Sequence, residues 1–325
     1  MMQASAAETI GFGMNTEISH KVFGEHAQEA LIAAKAELIR LENKLSRFIP
    51  ESEINRINRS AGRGPVTISM ETYKVISHAV RLSEISQGLF DISAGPLIDL
   101  WNYKHAFRGP GKIRIRRILP YVNFRDLILD SHKQTARLRK RGQSIDLGGI
   151  GKGFAGDCCM NILKCYGIVS AFINIGGNAS TLGNKPDGSP WRVGIRHPRS
   201  DGCLLGAVEV TGKAVVTSGD YERYFIDRRG MRRHHILNPS TGYPAQSGLI
   251  SVTVVADSAL TADGLSTAIF VAGMDRGLKY LTHFPGTEAV LVDNRLRVYI
   301  TQGLKECYKT AADIPVNIIR KELLL

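Results

Sequence analysis

Three short stretches of this chain carry side chains able to do chemistry. The first, residues 144–157, reads SIDLGGIGKGFAGD: five glycines surround Lys152, with Asp146 and Asp157 flanking them. Glycine lets backbone amides approach an anion, a helix N-terminus adds roughly half a positive charge, and Lys152 supplies a whole one, so the stretch suits a phosphate. Close packing of a helix against its neighbour selects the same glycines, and the residues alone leave both readings open. Gly151-x-Gly153-x-x-Gly156 matches a dinucleotide fingerprint, but the acidic residue expected about 20 positions on is missing, and INIGGN stands there instead. That argues against a Rossmann oxidoreductase. A Walker loop fails too, because Lys152 precedes Gly153 where Ser or Thr is needed, and Asp146 stands where glycine is needed.

The second stretch, TADGLSTAIFVAG, places Asp263 and Thr267 four residues apart near the start of an expected helix over 262–272. A carboxylate and a hydroxyl one turn apart offer two hard oxygens to a cation such as Mg²⁺, which keeps phosphate and water as its other ligands. An aspartate in a first turn also stabilises the helix dipole, which is the competing explanation. The third stretch, RRHHILNPSTGYP, pairs His234 with His235 ahead of two turns. Beside phosphoryl chemistry a neutral imidazole is a natural base for a hydroxyl, and an ordinary pKa of about 6.5 predicts a rate that falls as pH drops through that region. No zinc spacing and no G-x-S-x-G elbow are present, which disfavours a metalloprotease and a serine hydrolase.

These residues need elements to position them. Ala30, Ala34, Leu38, Leu41 and Leu45 recur at three- and four-residue steps and predict a helix over 25–48; a short helix follows in 50–58 behind Pro50, and a third over 69–88 has Ser69 and Thr72 as cap candidates and Gly88 as its stop. A helical first quarter, 25–88, results. From 144 to 300 strands and helices alternate: SIDL, a helix over 152–166, AFINIG, WRVGI, GAVEVTG, AVVTSG, ERYFID and ISVTVVA. Short glycine-punctuated strands predict an α+β fold of mixed or antiparallel sheets with packed helices, and no repeat or linker divides residues 1–325.

Composition narrows the classes. Of 325 residues 43% are hydrophobic and 22% charged, so a large core is affordable, and no run approaches the roughly 20 apolar residues of a membrane span. The formal charge of +12 is concentrated in GKIRIRRILP and RLRKRG, which read as a solvated basic face or as attraction to an acidic partner. No nucleic-acid-binding motif accompanies it. Cys158, Cys159, Cys165, Cys203 and Cys307 form no C-x-x-C pair and are expected as small core residues in a reducing compartment. The first twenty residues show neither a secretory pattern nor a lipidation cysteine, so a cytoplasmic location is expected unless a leader was removed.

Together with M-N-T at 14–16, LSRFIPESEINRIN, GLFDISAGPLIDLW, PWRVGIRHP and TSGDYERYF, these stretches resemble, in order and over nearly the whole chain, the FAD:protein FMN transferases, also called ApbE-type flavin transferases. The resemblance implies a T-fold-like architecture and Mg²⁺-dependent cleavage of FAD, with FMN joined through its phosphate to a Ser or Thr of an acceptor flavoprotein and AMP released. The acceptor could be a subunit of a redox or respiratory complex. It further implies metal ligation by Asp263, Thr267 and the carbonyl of Gly149, flavin contacts at Met14, Phe48, Leu89, Phe90, Asp91, Asp146, Lys152 and Ile236, and a catalytic His235 beside the attacking hydroxyl. Asn15, Phe48, Gly151 and Asn238 depart from the commoner Gly, Tyr, Ala and Asp of that pattern. Two alternatives share the site: a Mg²⁺-dependent FAD pyrophosphatase yielding free FMN and AMP, and a flavin carrier without chemistry.

Overall fold

Backbone pairing in this chain is dominated by one sheet assembled from distant segments. The computed structural model describes residues 5–102, 109–228, 230–311 and 314–320. Nine strands form the main sheet in the order Ala6–Gly13, Thr16–Phe23, Ser170–Ile175, Asn178–Leu182, Ala214–Gly219, Leu249–Ala256, Glu288–Asp293, Val298–Thr301 and Val316–Ile319. Neighbours are antiparallel except the final pair, which is parallel. The α+β class with a mixed, mainly antiparallel sheet is the observed one.

Alternation of side chains along each strand builds two cores. Val216 and Val254 point toward the helices Ala27–Leu45, Gly151–Cys165 and Ala259–Ala272. Val215 and Val255 point the other way, onto Trp191, Val208 and Tyr308 of a small sheet made by Trp191–Arg196, Leu204–Val210 and Tyr308–Thr310. Leu249–Ala256 is covered on both sides and all eight of its residues are buried, which is why it reads as a nearly continuous apolar run. In the helix Ala27–Leu45 the predicted stripe is the buried one.

Several expectations need correction. Residues 144–147 are not a strand: the amide of Ile145 is held by the Asn58 side chain (2.7 Å) and that of Asp146 by the Ile92 carbonyl (2.8 Å), leaving one bridge, Ala94 to Ser144. Ser69 caps the helix Met70–Ile85 by accepting from the Thr72 amide, so Thr72 is the capped residue and not the cap, while Ser52, not Pro50, heads the helix Glu53–Arg59. The helix carrying Asp263 and Thr267 starts at Ala259, three residues before the predicted start, because Ser258 caps it. Of the cysteines only Cys159 is buried; Cys165 and Cys203 are exposed, the first lying off the helix stripe and the second in a turn. The basic segment is a helix, Lys112–Ile118, that seats Ile115 against Leu97, Trp101 and Leu237 and leaves its four cations in solvent. No helix among the described residues is long and apolar enough to cross a membrane.

Candidate active site

The helices Gly151–Cys165 and Ala259–Ala272 meet through glycine. A Cβ on Gly153 would overlap the carbonyl of Ala259 and stand 2.8 Å from Asp263 Cβ; one on Gly156 would stand 2.8 Å from Ser180 Oγ. The Gly153 amide donates to Asp263 Oδ2 at 2.9 Å, which fixes that carboxylate. From the other side Asp157 accepts from Ser258 Oγ (2.7 Å) and from the amides of Ala259 (2.7 Å) and Leu260 (3.1 Å), clamping the start of the second helix. Burial in this joint pushes the Asp157 carboxyl above the ordinary carboxylate range against the pull of those donors. Packing therefore accounts for Gly153 and Gly156. The Gly151 amide is spent on Leu147 (2.7 Å), so the amide cradle expected for a phosphate is largely used internally and the positive charge left to the loop is Lys152. Gly153→Ala should force the two helices apart and displace Asp263, costing about 1–3 kcal/mol and lowering Tm; a parent-like Tm would contradict this packing account.

Asp263 is only 4% exposed and sits with its free oxygen 3.7 Å from Lys152 Nζ, which also donates to the Gly148 carbonyl at 3.2 Å. One turn on, Thr267 Oγ1 lies 3.1 Å from Ser218 Oγ, and Ser218 is tied to Ser266 at 2.9 Å. Gly149 closes the group: a Cβ there would stand 3.6 Å from Thr267 Oγ1 and 3.3 Å from the Phe90 ring. Because the helix begins at Ala259, Asp263 lies beyond its first turn, where the dipole explanation weakens. A buried carboxylate and a hydroxyl one turn apart are hard oxygen donors of the kind Mg²⁺ accepts, and the Gly149 backbone packs against that hydroxyl. No cluster of three His, Cys, Asp or Glu is found among the described residues, so a softer, nitrogen- or sulfur-bound metal has no ligand set here.

A second group lies alongside. Asp146 accepts from the Gly148 amide (2.6 Å) and from Arg47 (3.2 Å); Arg47 also binds Asp99 (2.6 Å) and the Gly95 carbonyl (3.3 Å). The neighbouring Phe48 ring is 72% exposed, with the Arg47 guanidinium 5.6 Å from its centre. Asp91 spends both oxygens within the protein, on Ser93 (amide and hydroxyl, both 2.7 Å) and the Phe124 amide (2.9 Å), and burial raises its pKa. Its place is to shape the turn that carries Leu89, half-buried, and Phe90, buried against Gly149. Met14 and Asn15 form the two-residue turn of the first hairpin with φ of 50° and 61°, the left-handed pair of a type I′ turn, in which Asn is readily accepted. Arg223 donates to the Asn15 carbonyl at 3.3 Å and so joins this turn to the histidine segment.

The paired histidines have separate fates. His234 is buried, its Nε2 2.9 Å from the Ala245 carbonyl and its ring edge-on to Phe270. His235 is half-buried; its Nδ1 lies 3.2 Å from the Arg223 carbonyl, which can only accept, so the proton sits on Nδ1 and Nε2 keeps a lone pair. Burial, the Arg223 charge and, less strongly, His234 and Lys152 push the His235 pKa down to about 3. The ordinary value assumed from sequence is corrected accordingly. Ile236 is buried in the helix-side core just beyond.

The family model described as ApbE family matches residues 14–291. This chain belongs to the ApbE family. It is 36% identical over 267 residues to the FAD:protein FMN transferase of Klebsiella pneumoniae (81% of this chain, 82% of that one) and 32% identical over 303 residues to that of Treponema pallidum (87% and 83%). Among solved structures, the ApbE protein of Thermotoga maritima superposes with a TM-score of 0.85 at 33% identity, covering 93% of this chain and 98% of that one. The flavin transferase ApbE of Vibrio cholerae gives 0.84 at 26% identity, covering 94% and 99%. The protein is thus a transferase with the fold of the ApbE family. Arg47, Asp157 and Ser218 hold groups of the candidate site through hydrogen bonds that the sequence does not mark; each is a single polar residue inside a quoted motif, with no spacing to single it out.

Proposed function

We propose that this ApbE-family transferase moves FMN from FAD to a Ser or Thr hydroxyl of an acceptor protein, in the presence of Mg²⁺, and releases AMP. The observation that carries the reading is the buried Asp263 carboxylate 3.7 Å from Lys152, with Thr267 one turn on and the Gly149 backbone against the Thr267 hydroxyl, and with the lone pair of His235 at the same end of the main sheet. Asp263, Thr267 and the Gly149 carbonyl would hold Mg²⁺, which when bound neutralises phosphate charge and orients the pyrophosphate. Lys152 pairs with the same phosphates. The acceptor hydroxyl forms a bond to the FMN phosphorus as the bond from that phosphorus to the bridging oxygen breaks; His235 Nε2 takes the hydroxyl proton and AMP carries away the electron pair. Positioning and charge neutralisation are most of what such a transfer asks of a protein.

The test is product analysis with FAD. With Mg²⁺ and a Ser- or Thr-bearing acceptor, FAD is expected to disappear as AMP appears and flavin fluorescence becomes bound to protein, and EDTA is expected to stop both. Free FMN and AMP beside an unlabelled acceptor would instead support the pyrophosphatase, and intact FAD would support the carrier.

A further inference from the structure

The residues assigned to the pyrophosphate and its metal all lie on the helix side of the main sheet. At the same end of the sheet its opposite side carries a recess of about 180 Å³ lined by Asn174, Arg192, Arg196, Thr217, Tyr221 and Glu222, and Glu222 adjoins the Arg223 that holds His235. The recess is cationic: Arg192 makes no ion pair among the described residues, and Arg196 is paired only loosely with Glu222, at 3.6 Å. One strand further out, beyond Thr16–Phe23, runs the free edge of the sheet, Ala6–Gly13, which ends at the Met14–Asn15 turn. Every second residue of an edge strand presents its N–H and C=O outward, and proteins usually guard such edges with charge or proline. Here the edge strand carries a single charge, Glu8, and leaves Ile10 and Phe12 73% and 79% exposed.

We infer that this second face receives the acceptor: an extended, acidic segment of the acceptor protein adds to the Ala6–Gly13 edge, seats its carboxylates against Arg192 and Arg196, and brings its Ser or Thr over the sheet end to His235. The inference rests on the transferase reading above. Edge pairing supplies affinity and the charged recess supplies selection. An acidic partner further explains why a cationic recess is kept apart from the phosphate site.

The experiment uses the full chain, FAD, Mg²⁺ and a library of twelve-residue peptides with one central Ser or Thr, reading covalent FMN by mass and fluorescence. Labelled peptides are expected to be enriched in Asp and Glu and in strand formers, and acidic members to exceed their basic counterparts by about tenfold or more at low salt. Arg192→Glu should reverse the charge preference, and Phe12→Asp should raise the peptide KM severalfold, while both hydrolyse FAD without acceptor at the parent rate. Labelling that ignores peptide charge, or an Arg192→Glu enzyme with unchanged preference, overturns the proposal. So does a library with no labelled member, because a segment recognised by edge pairing needs no folded partner. FMN on a host protein in that last case would leave the transferase reading standing and remove only the docking surface.

Discussion

Asp263→Ala is expected to lower Mg²⁺-dependent FAD cleavage by about 10²- to 10³-fold, the several kcal/mol that a metal contributes at a phosphoryl centre. Asp263 supplies the one side-chain charge of the proposed oxygen set, and Thr267 and Gly149 are neutral. The alanine variant also strips the Gly153 amide of its acceptor, and a buried donor left unpaired costs about 1–3 kcal/mol, so stability has to be read separately. Asp263→Asn makes the separation: its amide oxygen still accepts from Gly153 while the charge is gone. The asparagine variant should melt close to the parent, bind Mg²⁺ weakly by calorimetry, and remain inactive. Parent-like turnover of either variant in chelator would show that Asp263 only packs the two helices.

His235→Ala should slow transfer to a Ser or Thr by about 10²- to 10⁴-fold while FAD and Mg²⁺ still bind, the range of a general base. The pH dependence is more specific than the rate. In the free protein burial and the Arg223 and Lys152 charges hold His235 neutral down to about pH 3, so the acid limb of kcat/KM should lie well below 6.5. Bound phosphates offset the Lys152 charge and raise the imidazole pKa, which makes it a better proton acceptor once FAD is in place. The acid limb of kcat should therefore fall at higher pH than that of kcat/KM, and His235→Ala should lose it. His234→Ala is the control: it removes a ring packed on Phe270 and should lower Tm more than rate. A limb near 6.5 in both profiles, or greater catalytic damage from His234→Ala, would refute the assignment.

Elements were legible where one stripe or one alternation dominates. The helices over 27–45 and 70–85 and the strand over 249–256 follow directly from apolar spacing. The first hairpin, Ala6–Phe23, leaves no clean pattern in the sequence, because His20 occupies an inward position between Ile18 and Val22 and breaks the alternation. SIDL looks like a strand in sequence, but the Asn58 side chain and the Ile92 carbonyl take the place of a strand neighbour. Within the site the motifs located Lys152, Asp263, Thr267 and His235, but not what glycine was for at each position. Gly153 and Asp263 are 110 residues apart in sequence, and their contact belongs to the packing of two helices, which periodicity does not encode. Arg47 and Ser218 stayed invisible for the same reason, since each acts through partners far away in the chain.

The proposed reaction at one end of the sheet joins FMN to a protein hydroxyl at the expense of FAD. Its most direct test is the stoichiometry of a single incubation with FAD, Mg²⁺ and acceptor, measuring AMP by chromatography and acceptor mass by spectrometry. The account predicts equimolar AMP and FMN-labelled acceptor, the label borne as a phosphodiester on Ser or Thr and absent with His235→Ala. AMP released in step with free FMN, with the acceptor mass unchanged, would contradict it.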